Sequence, residues 1–181
     1  MIQTWNETLK NLAEDPEDLF HEHVRKRIGK KATDYFERKL KEFILGMPAI
    51  ISRIDEISPA ELEGSSAHRL TEYLLTYLHD SVDFLPERDN GLFGYLDDAY
   101  FVAIVYLMIV ERAGVSTENS EDRGIKDRLY KFLEYVRYVI PNESRKIERA
   151  VSDIVTNQIL CYSGSDVLFD SSRSRQTVRR R

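Results

Sequence analysis

Apolar residues in this chain recur three and four positions apart, the period of a helix that buries one face. Leu19, Phe20, Val24 and Ile28 make the first such stripe. Asp15 and Pro16 precede it, a pairing that predicts a helix N-cap followed by the first helical residue. Gly29 interrupts the stripe. Phe36, Leu40, Phe43, Met47, Ile50, Ile54 and Ile57 then alternate spacings of four and three, a heptad seam on a long helix with Gly46 and Pro48 midway. Such a seam serves either as the core face of a bundle helix or as the contact of a homodimer. Ser58-Pro59-Ala60-Glu61 has the form of a capping box with proline at the first helical position, and predicts a short helix.

After Gly64-Ser65-Ser66, the residues Leu70, Tyr73, Leu74, Tyr77 and Leu78 define an amphipathic helix. Leu96, Ala99, Tyr100, Ala103, Leu107 and Val110 define its partner, which is apolar nearly all round until Glu111 and is therefore expected to be the most buried. Gly114 ends it, and residues 115–122 read as a polar loop with Ser120 or Asp122 available as the next cap. Ile125, Leu129, Phe132, Leu133, Val136 and Ile140 mark another helix, ended by Pro141; Ile147, Val151, Ile154, Val155 and Ile159 mark the last. No stretch alternates with period two between turn signals, so no strand is predicted. The fold class is all-α: a single-domain bundle of about six helices over residues 1–162, with a central helical hairpin at 70–110. A Ser-, Asp- and Arg-rich tail, 163–181, is expected to be disordered.

Composition adds bounds to this picture. A chain of 181 residues, 42% apolar and 31% charged, is large enough to bury a core without staples. The single cysteine, Cys161, excludes an internal disulfide and a cysteine-based zinc site and suits a reducing compartment; at the end of the last helix it reads as a small core residue. The polar, acidic N-terminus has no secretion-signal pattern, and the longest apolar run, Ala99 to Val110, falls short of the roughly 20 residues of a membrane span. The expectation is a soluble, cytoplasmic protein without a membrane span.

The net charge of −5 is unevenly spread. Residues 25–41 sum to +6 and the tail from Ser163 to +3, leaving −14 for the remainder. Clustered Lys and Arg suit an anionic partner such as nucleic acid or an anionic lipid surface. The interleaving of Lys31, Asp34, Arg38 and Lys41 suits equally a solvated helix face carrying an Asp34–Arg38 pair.

Most of the remaining charged chemistry lies between Tyr77 and Tyr100, in YLHDSVDFLPERDNGLFGYLDDAY. Asp83 precedes Phe84-Leu85-Pro86 and is placed to cap the following turn; Pro86 stops the helix before it. Gly91 and Gly94 allow backbone angles other residues avoid. Asp97 and Asp98 fall in the first turn of the next helix, where free N–H groups and the helix dipole favour carboxylates, and Tyr77 and Tyr95 can donate phenolic hydrogen bonds to them.

The pattern Ser81-Val82-Asp83-Phe84-Leu85-Pro86-Glu87 followed by Gly94-Tyr95-Leu96-Asp97-Asp98 resembles the YkvA-like family, the domain of unknown function DUF1232. The similarity is to a helix ending in P-x-D-x-x-P-D, a short apolar loop, and G-x-x-D-D opening a second helix. Ser81 stands where the family has proline and Glu87 where it has aspartate. The resemblance covers residues 70–110 and implies a helical hairpin that brings Asp83 near Asp97; it implies no known reaction.

Three functional readings follow. The first is an interaction or scaffold protein without catalysis of its own or a cofactor, whose acids are structural caps and whose protein partner is unidentified. In the second, Asp83, Asp97 and Asp98, with Asp80 or Glu87, hold magnesium, calcium or manganese. A hydrolytic version joins His79-Asp80 with His23 or His68 and Asp97 into a two-metal phosphohydrolase. The third binds nucleic acid or an anionic surface through residues 25–41 and the tail. His21 and His23 lie on different faces of one helix and are not expected to share a metal; Trp5 and Met47 read as packing residues.

Overall fold

The computed structural model describes residues 2–57, 66–79, 84–112 and 120–156. They form seven helices of two turns or more: α1 (Ile2–Glu14), α2 (Phe20–Ile28), α3 (Thr33–Ile57), α4 (Ser66–Tyr77), α6 (Leu96–Arg112), α7 (Ser120–Val139) and α8 (Pro141–Val155), with a single-turn α5 (Glu87–Asn90) in the hairpin. Tight 3₁₀ turns at Lys30–Ala32 and Gly91–Tyr95 lead into α3 and α6. No strand occurs among the described residues, and the all-α class holds.

α6 is the axis of the bundle. α3 and α7 pack on one side of it, α4 and α8 on another, and α1 and α2 lie against α3. Tyr100, Phe101, Val102, Ala103, Val105, Tyr106 and Ile109 are all buried, as its all-round apolar pattern requires. The helical stretch Glu87–Glu111 is the one among the described residues long and apolar enough to cross a membrane; 83% of its apolar window is buried inside the fold.

The heptad seam is used within the chain. Leu40, Met47 and Ile54 are buried, joined by Ile44, while Phe36, Phe43, Ile50 and Ile57 are half-buried against the same core. α3 runs through Pro48 as one helix, although that residue has no N–H to give the Ile44 carbonyl. The Ser52 hydroxyl donates to the Pro48 carbonyl at 3.1 Å.

The N-terminal expectation needs correction. Asp15 and Pro16 do not open a helix; they form the turn between α1 and α2, and Asp15 Oδ1 accepts the Glu17 N–H at 2.9 Å. α1 lies before them, its Trp5, Leu9, Leu12 and Ala13 facing the core at helical spacing. That stripe raises the count to seven. The short helix expected at Ser58-Pro59-Ala60-Glu61, the extension to Ile159, Cys161 and the tail 163–181 lie outside the described residues. Pro141 does end α7, and it also supplies the first helical position of α8.

Candidate functional site

The hairpin turn is built from the inside of α6 outward. Asp97 is wholly buried. Its Oδ2 accepts the Tyr77 hydroxyl at 2.8 Å and the backbone N–H groups of Phe84 and Leu85, each at 3.2 Å; its Oδ1 accepts the Asp98 N–H at 3.1 Å. One carboxylate thus ties the last residue of α4, the descending turn and the first turn of α6. A buried carboxylate is tolerable only with such donors around it.

The apolar link is helical rather than a loop. Pro86 begins it: its carbonyl accepts the N–H groups of Asp89 and Asn90 and the Asn90 side-chain amide. The two glycines have different reasons. Gly91 sits at φ +56°, a left-handed conformation that favours glycine. Gly94 is required by close approach, because a Cβ there would lie 2.5 Å from the Glu87 Cα and 2.9 Å from the Leu85 carbonyl oxygen.

α2 covers this turn from the side. Phe93 is buried under Phe20 (edge-to-face, 5.5 Å), His23 (stacked, 5.1 Å) and the Arg27 guanidinium, 4.6 Å above its ring. Burial, followed by the nearby charges of Arg27 and Lys26, lowers the His23 pKa from its ordinary value. Asp18 joins the two segments: its Oδ1 accepts the Phe20 N–H and its Oδ2 the Leu92 N–H, both at 2.9 Å. This residue escapes sequence reasoning because its second partner is 74 positions away.

The candidate ligands are distributed as follows. Asp97 and Asp98 are buried together at the start of α6. Asp83 and Asp80 lie outside the described residues; the turn N–H groups of Phe84 and Leu85, which Asp83 was expected to cap, are held by Asp97. Tyr77 meets its expected role, while Tyr95 packs its ring edge-on to Trp5 at 6.3 Å. His79 is exposed in the turn after α4, and His68 faces Glu72 at 3.4 Å.

Among the described residues the grouping of three potential metal ligands is a different one: His21, Asp34 and Glu37, with ligand atoms within 4.8 Å of one another. Asp34, expected to pair with Arg38, belongs to this group instead. Its core is a 2.7 Å His21–Glu37 contact, and Lys41 holds the other Glu37 oxygen at 3.0 Å. Burial opposes ionisation of Glu37, but the hydrogen bonds from His21 and Lys41 outweigh it and keep its carboxyl below the ordinary range.

A second polar link, buried only at its Tyr100 end and without any local signal in the sequence, joins α6, α8 and α7. The Tyr100 hydroxyl donates to Glu148 Oε1, which also accepts from Arg137 Nε at 2.7 Å. Burial and then the Glu148 bond push the Tyr100 phenol up. Burial acts against Glu148 ionisation, yet the bonds from Tyr100 and Arg137 hold that carboxyl low.

No family model matches the chain, and neither a curated protein nor a solved structure matches it.

Proposed function

We propose that this chain is a cytoplasmic helical interaction module, YkvA-like in its hairpin, that performs no chemistry of its own. The supporting observation is the environment of Asp97. Its Oδ2 is occupied by the Tyr77 hydroxyl and the Phe84 and Leu85 N–H groups, and the residue has no exposure to solvent. A cation at that oxygen would have to displace donors that hold the hairpin closed. The carboxylate is a clasp.

The anion-binding reading has weaker support. Within the basic segment, Arg25 pairs with Glu22, Lys39 with Glu42 and Lys41 with Glu37, while Arg27 covers Phe93. Much of the charge serves the fold.

Thermal unfolding with and without magnesium, calcium or manganese tests the proposal. The expected result is a wild-type midpoint unmoved by any of these ions and a lower midpoint for Asp97→Asn. A metal-dependent rise in wild type that vanishes in Asp97→Asn would sink the proposal and restore the metal reading.

A further inference from the structure

α3 and α7 run antiparallel, and along their outer seam they enclose an open trough. Its wider part, about 350 Å³, continues into a second depression of about 260 Å³; the two share Glu42, Phe43 and Arg128 as lining. From Tyr35 to Arg53 the trough follows α3 for roughly 27 Å at the helical rise of 1.5 Å per residue. Phe43, Ile50, Ile125 and Leu129 form an apolar floor.

Gly46 lies at the middle of that floor. It sits inside α3 with ordinary helical backbone angles, and nothing within 4 Å would meet a Cβ built on it. Glycine in a helix interior is unfavourable relative to alanine, and no neighbour in this fold requires it. A bare backbone with exposed Ala49 close by lets a second helix approach closely. The walls carry Lys39, Arg53, Arg128 and Lys131; Lys39 is paired with Glu42 at 2.9 Å and Arg53 with Glu56 at 2.7 Å, so the charge available to a ligand is that of Arg128 and Lys131 on α7. Arg128 spends its Nε on the uncharged Gly124 carbonyl at 3.2 Å.

Resting on the interaction-module reading, we infer that the α3–α7 trough is the docking surface, and that its partner is an acidic amphipathic helix. The apolar anchors of that helix, at i, i+4 and i+7, lie on the floor beside Gly46, and its Asp and Glu residues face Arg128 and Lys131. Charge complementarity favours this occupant over the chain's own segment from Ser163, which carries five arginines and two aspartates. The aromatic rings of the floor also favour it over single-stranded nucleic acid, because Phe43 is already stacked on Phe132 at 4.3 Å and Tyr106 is buried. At the trough's end the Tyr35 and Tyr135 hydroxyls bond to each other at 2.9 Å, and their rings meet edge-on, so they form no open stacking platform.

The test is selection of phage-displayed helical peptides on the full chain in the presence of EDTA. The expected binders are enriched in Asp and Glu around apolar residues at i, i+4 and i+7. Gly46→Leu, which fills open space and should leave the circular dichroism and unfolding midpoint of the chain intact, is expected to weaken them roughly tenfold or more. Should that variant misfold, Arg128→Glu with Lys131→Glu, both at exposed positions, carries the test with the same expected loss. Failure to select any peptide, binders that are basic, or binders indifferent to these substitutions would overturn the assignment. So would competition by polyuridine RNA, or sedimentation showing a Gly46-dependent dimer that occupies the face. Such failures with Asp97 still insensitive to metal remove only the trough; a metal response at Asp97 removes the interaction reading itself.

Discussion

The Tyr77 hydroxyl donates to Asp97 Oδ2 at 2.8 Å, joining the end of α4 to the start of α6 across 20 residues of sequence. Both side chains are buried, so neither group has water as a substitute partner. Tyr77→Phe removes one donor from a charged acceptor and should cost about 1–3 kcal/mol in urea unfolding. Asp97→Ala also orphans the Phe84 and Leu85 N–H groups and should cost ~3–5 kcal/mol. Equal losses in the two variants would show that the backbone bonds contribute nothing.

Two glycines should respond oppositely to the same added methyl group. Gly94→Ala places a Cβ against the Glu87 backbone and should destabilise by about 1–3 kcal/mol. Gly46→Ala meets open space within a helix and should stabilise by ~0.5–1 kcal/mol. Thermal unfolding of the two single variants measures both signs.

Asp18 should behave as a cap shared by two segments. Asp18→Ala leaves the Phe20 and Leu92 N–H groups without their acceptors and should cost roughly 1–2 kcal/mol. Asp18→Asn, keeping one acceptor oxygen, should recover part of it. Hydrogen exchange at Leu92 should rise in the alanine variant, and an unchanged rate would remove the link to the turn.

The Glu148 link predicts an acid limb. A carboxyl whose folded pKa lies below its unfolded value contributes stability that is complete above that unfolded value, near 4.5, and is lost as pH falls through the folded one. Glu148 is 37% exposed, so solvent screens the effect. Glu148→Gln should therefore show a slightly shallower decline in stability below about pH 4.5 than wild type. Because Glu37 is also held low, only the double replacement of both acids by glutamine should flatten the limb further.

The heptad spacing of Leu40, Met47 and Ile54 and the all-round apolar pattern of α6 were sufficient to predict a helical bundle, since both are properties of neighbours along one helix. α1 was legible too: Trp5, Leu9, Leu12 and Ala13 carry a helical stripe, but the polar residues between them and the strong Asp15-Pro16 start signal favour a later boundary. Gly94 and Asp97 were legible as special positions, and Tyr77 as a donor to the acids; the approach of Glu87 to Gly94 and the Phe84 and Leu85 N–H groups on Asp97 were not.

The missing reasons are tertiary. That Asp97 is a clasp depends on Tyr77, Phe84 and Leu85 converging on one oxygen, and that Gly94 must lack a side chain depends on Glu87 pressing against it. Asp18 meeting Leu92, Glu148 joining Tyr100 to Arg137, and His21 meeting Glu37 are likewise contacts between separate elements. Periodicity reports which face of a helix is buried; it carries no information about which polar group on another helix will arrive there. The sequence by itself determined the helices and their apolar faces, and the packing of α2 on the turn at 91–95 and of α4 and α8 on α6 decided what Asp18, Asp97 and Glu148 do.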